Sequence, residues 1–247
     1  MKIKVVNPNT TASMTRMIEA SARLAAGPGT GVVAVSPPMG PASIESHYDE
    51  ALSVPGLLAE ITGGEAADGY VIACFGDPGL DAAREVAPGP VVGIAEAAMR
   101  AATYLGRSFT VVTTLARTTG RAHELVDRYG VRPYCRNVRA CDIPVLALEA
   151  DPGARDRIVE ECRAALRADG SEVIVLGCAG MADLCAGLTA ELGVPVVDGV
   201  ASAVAAVEGL VRLGLGTSRF GQYARPPKKP YTGALADFGL DGPQCRQ

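Results

Sequence analysis

Along the chain, short runs rich in Val and Ile recur between longer Ala-rich stretches whose apolar positions repeat with helical period. The runs at 3–6, 31–35, 70–73, 91–94, 109–112, 173–176 and 194–197 predict strands. The stretches near 12–25, 45–62, 78–87, 95–105, 119–129, 153–168, 181–192 and 199–213 predict helices. Strands alternating with helices in this way define an α/β protein with largely parallel sheets. Gly130 and Gly193 stand where a helix should stop before the next strand.

The pattern also repeats. Val71-Ile72-Ala73-Cys74-Phe75-Gly76 aligns with Val175-Leu176-Gly177-Cys178-Ala179-Gly180 at a shift of 104 residues, superposing a strand, a cysteine and a glycine. Downstream, Pro90-Val91-Val92-Gly93 answers Pro195-Val196-Val197-Asp198; upstream, Val5-Val6-Asn7-Pro8-Asn9-Thr10 answers Val111-Val112-Thr113-Thr114-Leu115-Ala116. Such a repeat predicts two similar lobes with mainly parallel sheets, related by a pseudo-twofold and separated by a cleft. The first lobe would comprise 1–100 plus about 200–215 and the second 101–199, with 216–247 as a surface tail. Ligands of open α/β sheets bind beyond the carboxyl ends of the strands, where both cysteines and both polar loops fall.

Composition narrows the partners. With 23 basic and 27 acidic residues the net charge is -4, and the Lys228-Lys229 pair is the most basic spot, so nucleic acid is not an expected partner. No segment approaches the ~20 apolar residues of a membrane span, and the start lacks an export-type apolar stretch, so neither a membrane nor secretion is expected. A cytoplasmic protein follows. The seven cysteines, at 74, 135, 141, 162, 178, 185 and 245, are odd in number and scattered, which reads as free thiols. No CxxC spacing occurs and the two histidines, His47 and His123, lie in unrelated segments, so no metal site is expected.

A lone cysteine at a strand end is most often a small buried hydrophobe. Two at equivalent points of a repeat, each followed two residues later by glycine, call for a chemical reading. Inverting a stereocentre needs a base on one face and an acid on the other, and a thiol with an ordinary pKa of ~8.5 can serve as either. Helix N-terminal N–H groups after each cysteine would favour the thiolate and could also hold negative charge on a substrate. Asn9 and Thr118 read as helix caps or as polar groups of the cleft, and Thr113 and Thr114 occupy the matching loop. Asp77 reads as a helix cap and His47 as a surface helix residue.

Four segments together resemble the aspartate/glutamate/hydantoin racemase superfamily, within it the hydantoin and allantoin racemases. They are Asn7-Pro8-Asn9-Thr10, Gly40-Pro41-Ala42-Ser43-Ile44-Glu45, Ala73-Cys74-Phe75-Gly76-Asp77-Pro78-Gly79-Leu80 and Leu176-Gly177-Cys178-Ala179-Gly180-Met181. The resemblance spans about 3–215 and implies a cofactor-independent isomerase in which Cys74 and Cys178 exchange acid and base roles. It further implies a site lined by Asn9, Ile44, Phe75, Gly76, Thr113, Thr118, Ala179 and Gly180, and a homo-oligomer. Amino-acid racemases of the superfamily carry Cys-Asn-Thr and Gly-Cys-Thr, whereas here Phe-Gly and Ala-Gly follow the cysteines. That departure points to a neutral cyclic ureide, whose ring carbonyl acidifies the neighbouring C–H without pyridoxal. 5-Substituted hydantoins are the expected substrates. Allantoin is the alternative if hydrogen-bonding groups flank Ile44 and Thr118. An amino-acid racemase, a decarboxylase and a non-catalytic two-lobed binding protein are further alternatives.

Overall fold

In the computed structural model, which describes residues 1–240, the chain forms two α/β lobes, each built on a four-stranded, wholly parallel sheet. Cys245 lies outside the described residues. The first sheet is ordered β2-β1-β3-β4, from β1 (Lys2–Val6), β2 (Gly31–Val35), β3 (Gly69–Ile72) and β4 (Val91–Gly93). The second is ordered β6-β5-β7-β8, from β5 (Phe109–Thr113), β6 (Cys135–Ala140), β7 (Val173–Gly177) and β8 (Val196–Val197). The two orders are the same when the strands of each lobe are counted in sequence, as the internal repeat requires.

The helices fall close to their predicted places: α1 (Ala12–Ala25), α2 (His47–Thr62), α3 (Leu80–Val86), α4 (Ile94–Leu105), α5 (Thr119–Arg128), α6 (Ala154–Ala164), α7 (Cys185–Leu192) and α8 (Gly199–Arg212). Gly130 and Gly193 adopt φ of +69° behind α5 and α7, the left-handed geometry that ends a helix at low steric cost. The last two predicted helices of the second lobe are shorter than expected. α6 gives way to a π-helical turn over Ala165–Asp169, and Ala179–Leu184 forms a 3-10 helix before α7.

One strand, β6, escapes the hydrophobic pattern. Its sequence Cys-Arg-Asn-Val-Arg-Ala buries only Val138, because it is an edge strand paired on one side to β5.

In the second sheet the faces alternate. Phe109, Val111, Val173 and Val175 join a core continuous with the first lobe, whereas Val112, Ile174 and Leu176 pack with Ile158, Val159 and Leu188 of α6 and α7. Helix α4 packs on both α8 and β7, and α8 returns to β3, β4 and α1, so these two helices bind the lobes together. Beyond α8, the stretch 219–223 lies against α3 of the first lobe. There the Arg219 guanidinium donates to the carbonyls of Arg84, Glu85 and Ala87 at the end of α3. Among the described residues no helix is long and apolar enough to cross a membrane.

Candidate active site

The loops that follow β1, β3, β5 and β7 meet in a cavity of about 880 Å³, open mouth included, lined from both lobes. Cys74 enters from the end of β3 and Cys178 from the end of β7, and both line it. Asn9, Ile44, Phe75, Gly76, Thr113, Thr118 and Ala179 line it too. Gly180 does not: it lies in an adjacent depression beside Leu148, and a Cβ there would sit 3.6 Å from the Cys178 sulfur.

The electrostatic setting of the thiols differs from the sequence expectation. Neither cysteine directly precedes an α-helix. Cys74 opens a turn, with α3 beginning only at Leu80, and Cys178 opens the 3-10 segment. In place of a helix terminus, one nearby backbone N–H favours each thiolate, that of Gly76 at Cys74 and that of Gly180 at Cys178, and Cys178 makes no side-chain cap bond to its 3-10 segment. Burial outweighs that effect and pushes the Cys74 thiol up to about 12 and the Cys178 thiol up to about 11. The Cys178 charge adds to the rise at Cys74.

The polar loop after β1 is wired more tightly than a simple cap. The α1 N-cap is Thr11, with no side-chain cap bond. Instead Asn9 Oδ1 accepts from Asn7 Nδ2 at 2.8 Å and from the Thr11 N–H at 2.9 Å, while Asn9 Nδ2 donates to the Met14 sulfur at 3.1 Å. A thioether is a weak acceptor, so the buried Asn9 amide keeps donor capacity for a ligand. Thr118 precedes α5 without capping it; its hydroxyl donates to the Leu115 carbonyl at 2.8 Å. Thr113 Oγ1 donates to the Gly177 carbonyl at 3.1 Å, and a Cβ on Gly177 would come within 2.9 Å of Thr113 Cβ. Glycine before Cys178 thus lets the ends of β5 and β7 close together.

Sequence reasoning missed Glu50 and Arg121. They line the cavity from α2 and α5 and form an ion pair at 2.6 Å; Arg121 Nη2 also donates to the Gly76 carbonyl at 2.9 Å. Helical spacing held a signal for both, because Glu50 lies one turn beyond His47 and Arg121 one turn beyond Thr118. His47 is exposed at the start of α2, as expected, and also borders the cavity, as do Ser46 and Arg117. Asp77 is a cap, though of α4 rather than of the helix it precedes, with its carboxylate on the N–H groups of Ala95 and Glu96.

Paired α/β lobes that each bring a thiol into one shared cavity match a class of isomerases, the racemases. The chain belongs to the Asp/Glu/Hydantoin racemase family, whose sequence model matches residues 3–207. It is 51% identical to a hydantoin racemase of Pseudomonas sp. (strain NS671), with 97% of each chain covered, and 52% identical to one of Rhizobium meliloti over 94% of this chain and 98% of that one. Among solved structures it resembles an allantoin racemase from Klebsiella pneumoniae, with TM-score 0.95 and 52% identity over 97% of this chain and 99% of the other.

Proposed function

We propose that this racemase inverts the C5 stereocentre of 5-substituted hydantoins, with Cys74 and Cys178 as the two bases. The observation that carries the reading is the entry of the two thiols into one cavity from equivalent strand ends of opposite lobes. One cysteine, as thiolate, takes the C5 proton and becomes a thiol. The electron pair moves onto the ring carbonyl as an enolate, and the other thiol delivers a proton to the opposite face. The enzyme is left with its protonation states exchanged, and a turnover of the product enantiomer or proton exchange with solvent restores them.

The Asn9 amide is suited to hold the enolate oxygen, because its remaining N–H faces no strong acceptor. A raised thiol pKa makes the ionised sulfur a stronger base towards carbon, at the expense of its population near neutrality.

Among hydantoins, the surroundings favour a polar 5-substituent. Ile44 provides an apolar surface, but Ser46, His47, Arg117 and Arg121 flank Ile44 and Thr118. Those hydrogen-bonding groups suit the ureido arm of allantoin, which is itself a 5-substituted hydantoin, better than an alkyl or aryl arm. The test is the decay of optical rotation of enantiopure allantoin and of an enantiopure alkylhydantoin in parallel, with reduced enzyme and no added cofactor. Decay to zero for both, faster for allantoin, is the expected result; two traces indistinguishable from buffer would overturn the assignment.

A further inference from the structure

The turn that presents Cys74 belongs to the first lobe, yet it is gripped from the second. Asp77 closes the turn through its backbone N–H, which donates to the Cys74 carbonyl at 2.9 Å. It does so at φ +45°, in the left-handed region that residues other than glycine seldom occupy. Its carboxylate is 2% exposed and accepts three bonds. Two come from the Ala95 and Glu96 N–H groups at the start of α4, at 3.1 and 2.9 Å. The third is the Tyr129 hydroxyl at 2.6 Å, which reaches across from the second lobe just beyond α5. Gly93 makes room for this carboxylate, since a Cβ there would lie 2.2 Å from Asp77 Cγ.

The arrangement is one-sided. In the internal repeat the partner of Asp77 is Met181, three residues after Cys178, and it is fully buried in the core of the second lobe. No comparable polar tether exists for the Cys178 turn among the described residues.

We propose that Tyr129 is a positioning residue for Cys74: acting through Asp77, it fixes the Cys74–Asp77 turn and so the place of the Cys74 sulfur beside the Gly76 N–H. The proposal rests on Cys74 being an acid/base group, as argued above. Removing the hydroxyl leaves a buried carboxylate with two donors in place of three, and the turn relaxes from its unfavourable φ. The groups facing Cys74 are Glu50 from α2, Cys178 from the second lobe and Asp77 of its own turn. Burial raises Asp77 to about 6 and also raises Tyr129, so near neutrality the phenol keeps its proton and donates to the carboxylate.

The test is Tyr129→Phe, read in two ways. The turnover number for allantoin should fall roughly ten- to a hundred-fold with KM little changed, as for a misplaced reacting group. The pH dependence of iodoacetamide alkylation, followed for each cysteine by peptide mass spectrometry, should show the Cys74 midpoint rising while that of Cys178 stays. Should Tyr129→Phe fail to fold, Gly93→Ala, which crowds the Asp77 carboxylate but keeps its charge, is expected to give the same Cys74-selective shift. An unchanged turnover number, unmoved midpoints, or two midpoints moving together would overturn the proposal. Alkylation needs no substrate, so a Cys74-selective shift in a protein without racemase activity would support the link while refuting the assigned reaction.

Discussion

The Glu50 carboxylate on α2 and the Arg121 guanidinium on α5 meet at 2.6 Å between the two lobes, beside the turn that carries Cys74. Both side chains are about four-fifths shielded from solvent. Burial raises the Glu50 pKa even though Arg121 opposes the rise, and the buried Arg121 Nε has no hydrogen-bond partner. The pair therefore closes one side of the cavity at an electrostatic cost, which a purely structural contact would not require.

Breaking this pair should be felt in both stability and catalysis. Arg121→Ala removes the partner of a part-buried carboxylate and the donor to the Gly76 carbonyl, so about 2 kcal/mol of stability is expected to be lost, together with a higher KM. Urea denaturation and initial rates with allantoin measure both. Glu50→Gln, which keeps shape and one acceptor, should cost less, and unchanged stability and KM in Arg121→Ala would show that the ion pair does not hold this side of the cavity.

The two cysteines should be individually indispensable and yet distinguishable. Cys74→Ser and Cys178→Ser are each expected to lower racemisation by ~10³-fold or more, because a hydroxyl is a far weaker acid/base partner at neutral pH. In deuterated buffer each variant should still exchange the C5 proton of one enantiomer, through the thiol that remains, and the two variants should prefer opposite enantiomers. Proton NMR of the C5–H signal reads this, and the same preferred enantiomer in both variants would contradict bases on opposite faces.

The pH profile follows from the sign of the thiol shifts. A general base must be deprotonated, and burial holds Cys74 near 12 and Cys178 near 11, so the free enzyme near neutrality carries mostly thiols. kcat/KM should therefore climb about tenfold per pH unit on the alkaline side of neutrality, flattening only as the first thiol ionises. Rates must be corrected for the base-catalysed racemisation of the substrate itself. A plateau already at neutral pH would mean that the thiolate is supplied in some other way.

Gly93→Ala probes the seat of Asp77. The added methyl would overlap the carboxylate, with 2.2 Å to Cγ, so the turn or α4 must shift. A loss of about 1–3 kcal/mol is expected, as for overpacked cores, with a drop in turnover larger than stability alone accounts for. Thermal unfolding and activity below the transition temperature separate the two effects. Gly209→Ala serves as the control, since a Cβ there meets nothing within 4 Å.

Much of the architecture was legible in the chain because its core strands are apolar on both faces and its helices carry continuous apolar stripes. Strand β6 was not, since an edge strand with Arg136, Asn137 and Arg139 has no hydrophobic signature to detect. The repeat itself held the missing information: moving β2 by the repeat spacing of about 104–106 residues lands on β6. Glu50 and Arg121 were missed for another reason: spacing set them one turn from His47 and Thr118, but a charged residue on an amphipathic helix reads as a solvated surface until its neighbour in space is known.

The sequence by itself determined two repeated α/β units, the parallel order implied by their alternating elements, and a cysteine at the same point of each, because periodicity and internal repetition are local properties of a chain. Only the tertiary structure decided how those points are served across the cleft. It set Gly180 outside the cavity wall, replaced the expected helix termini with single backbone N–H groups, pushed both thiols up through burial, and brought Arg121 and Tyr129 of the second lobe onto the Cys74 turn of the first. Desolvation and contacts between residues some 50 apart in sequence depend on which surfaces meet when the lobes dock, and no window of sequence contains that information.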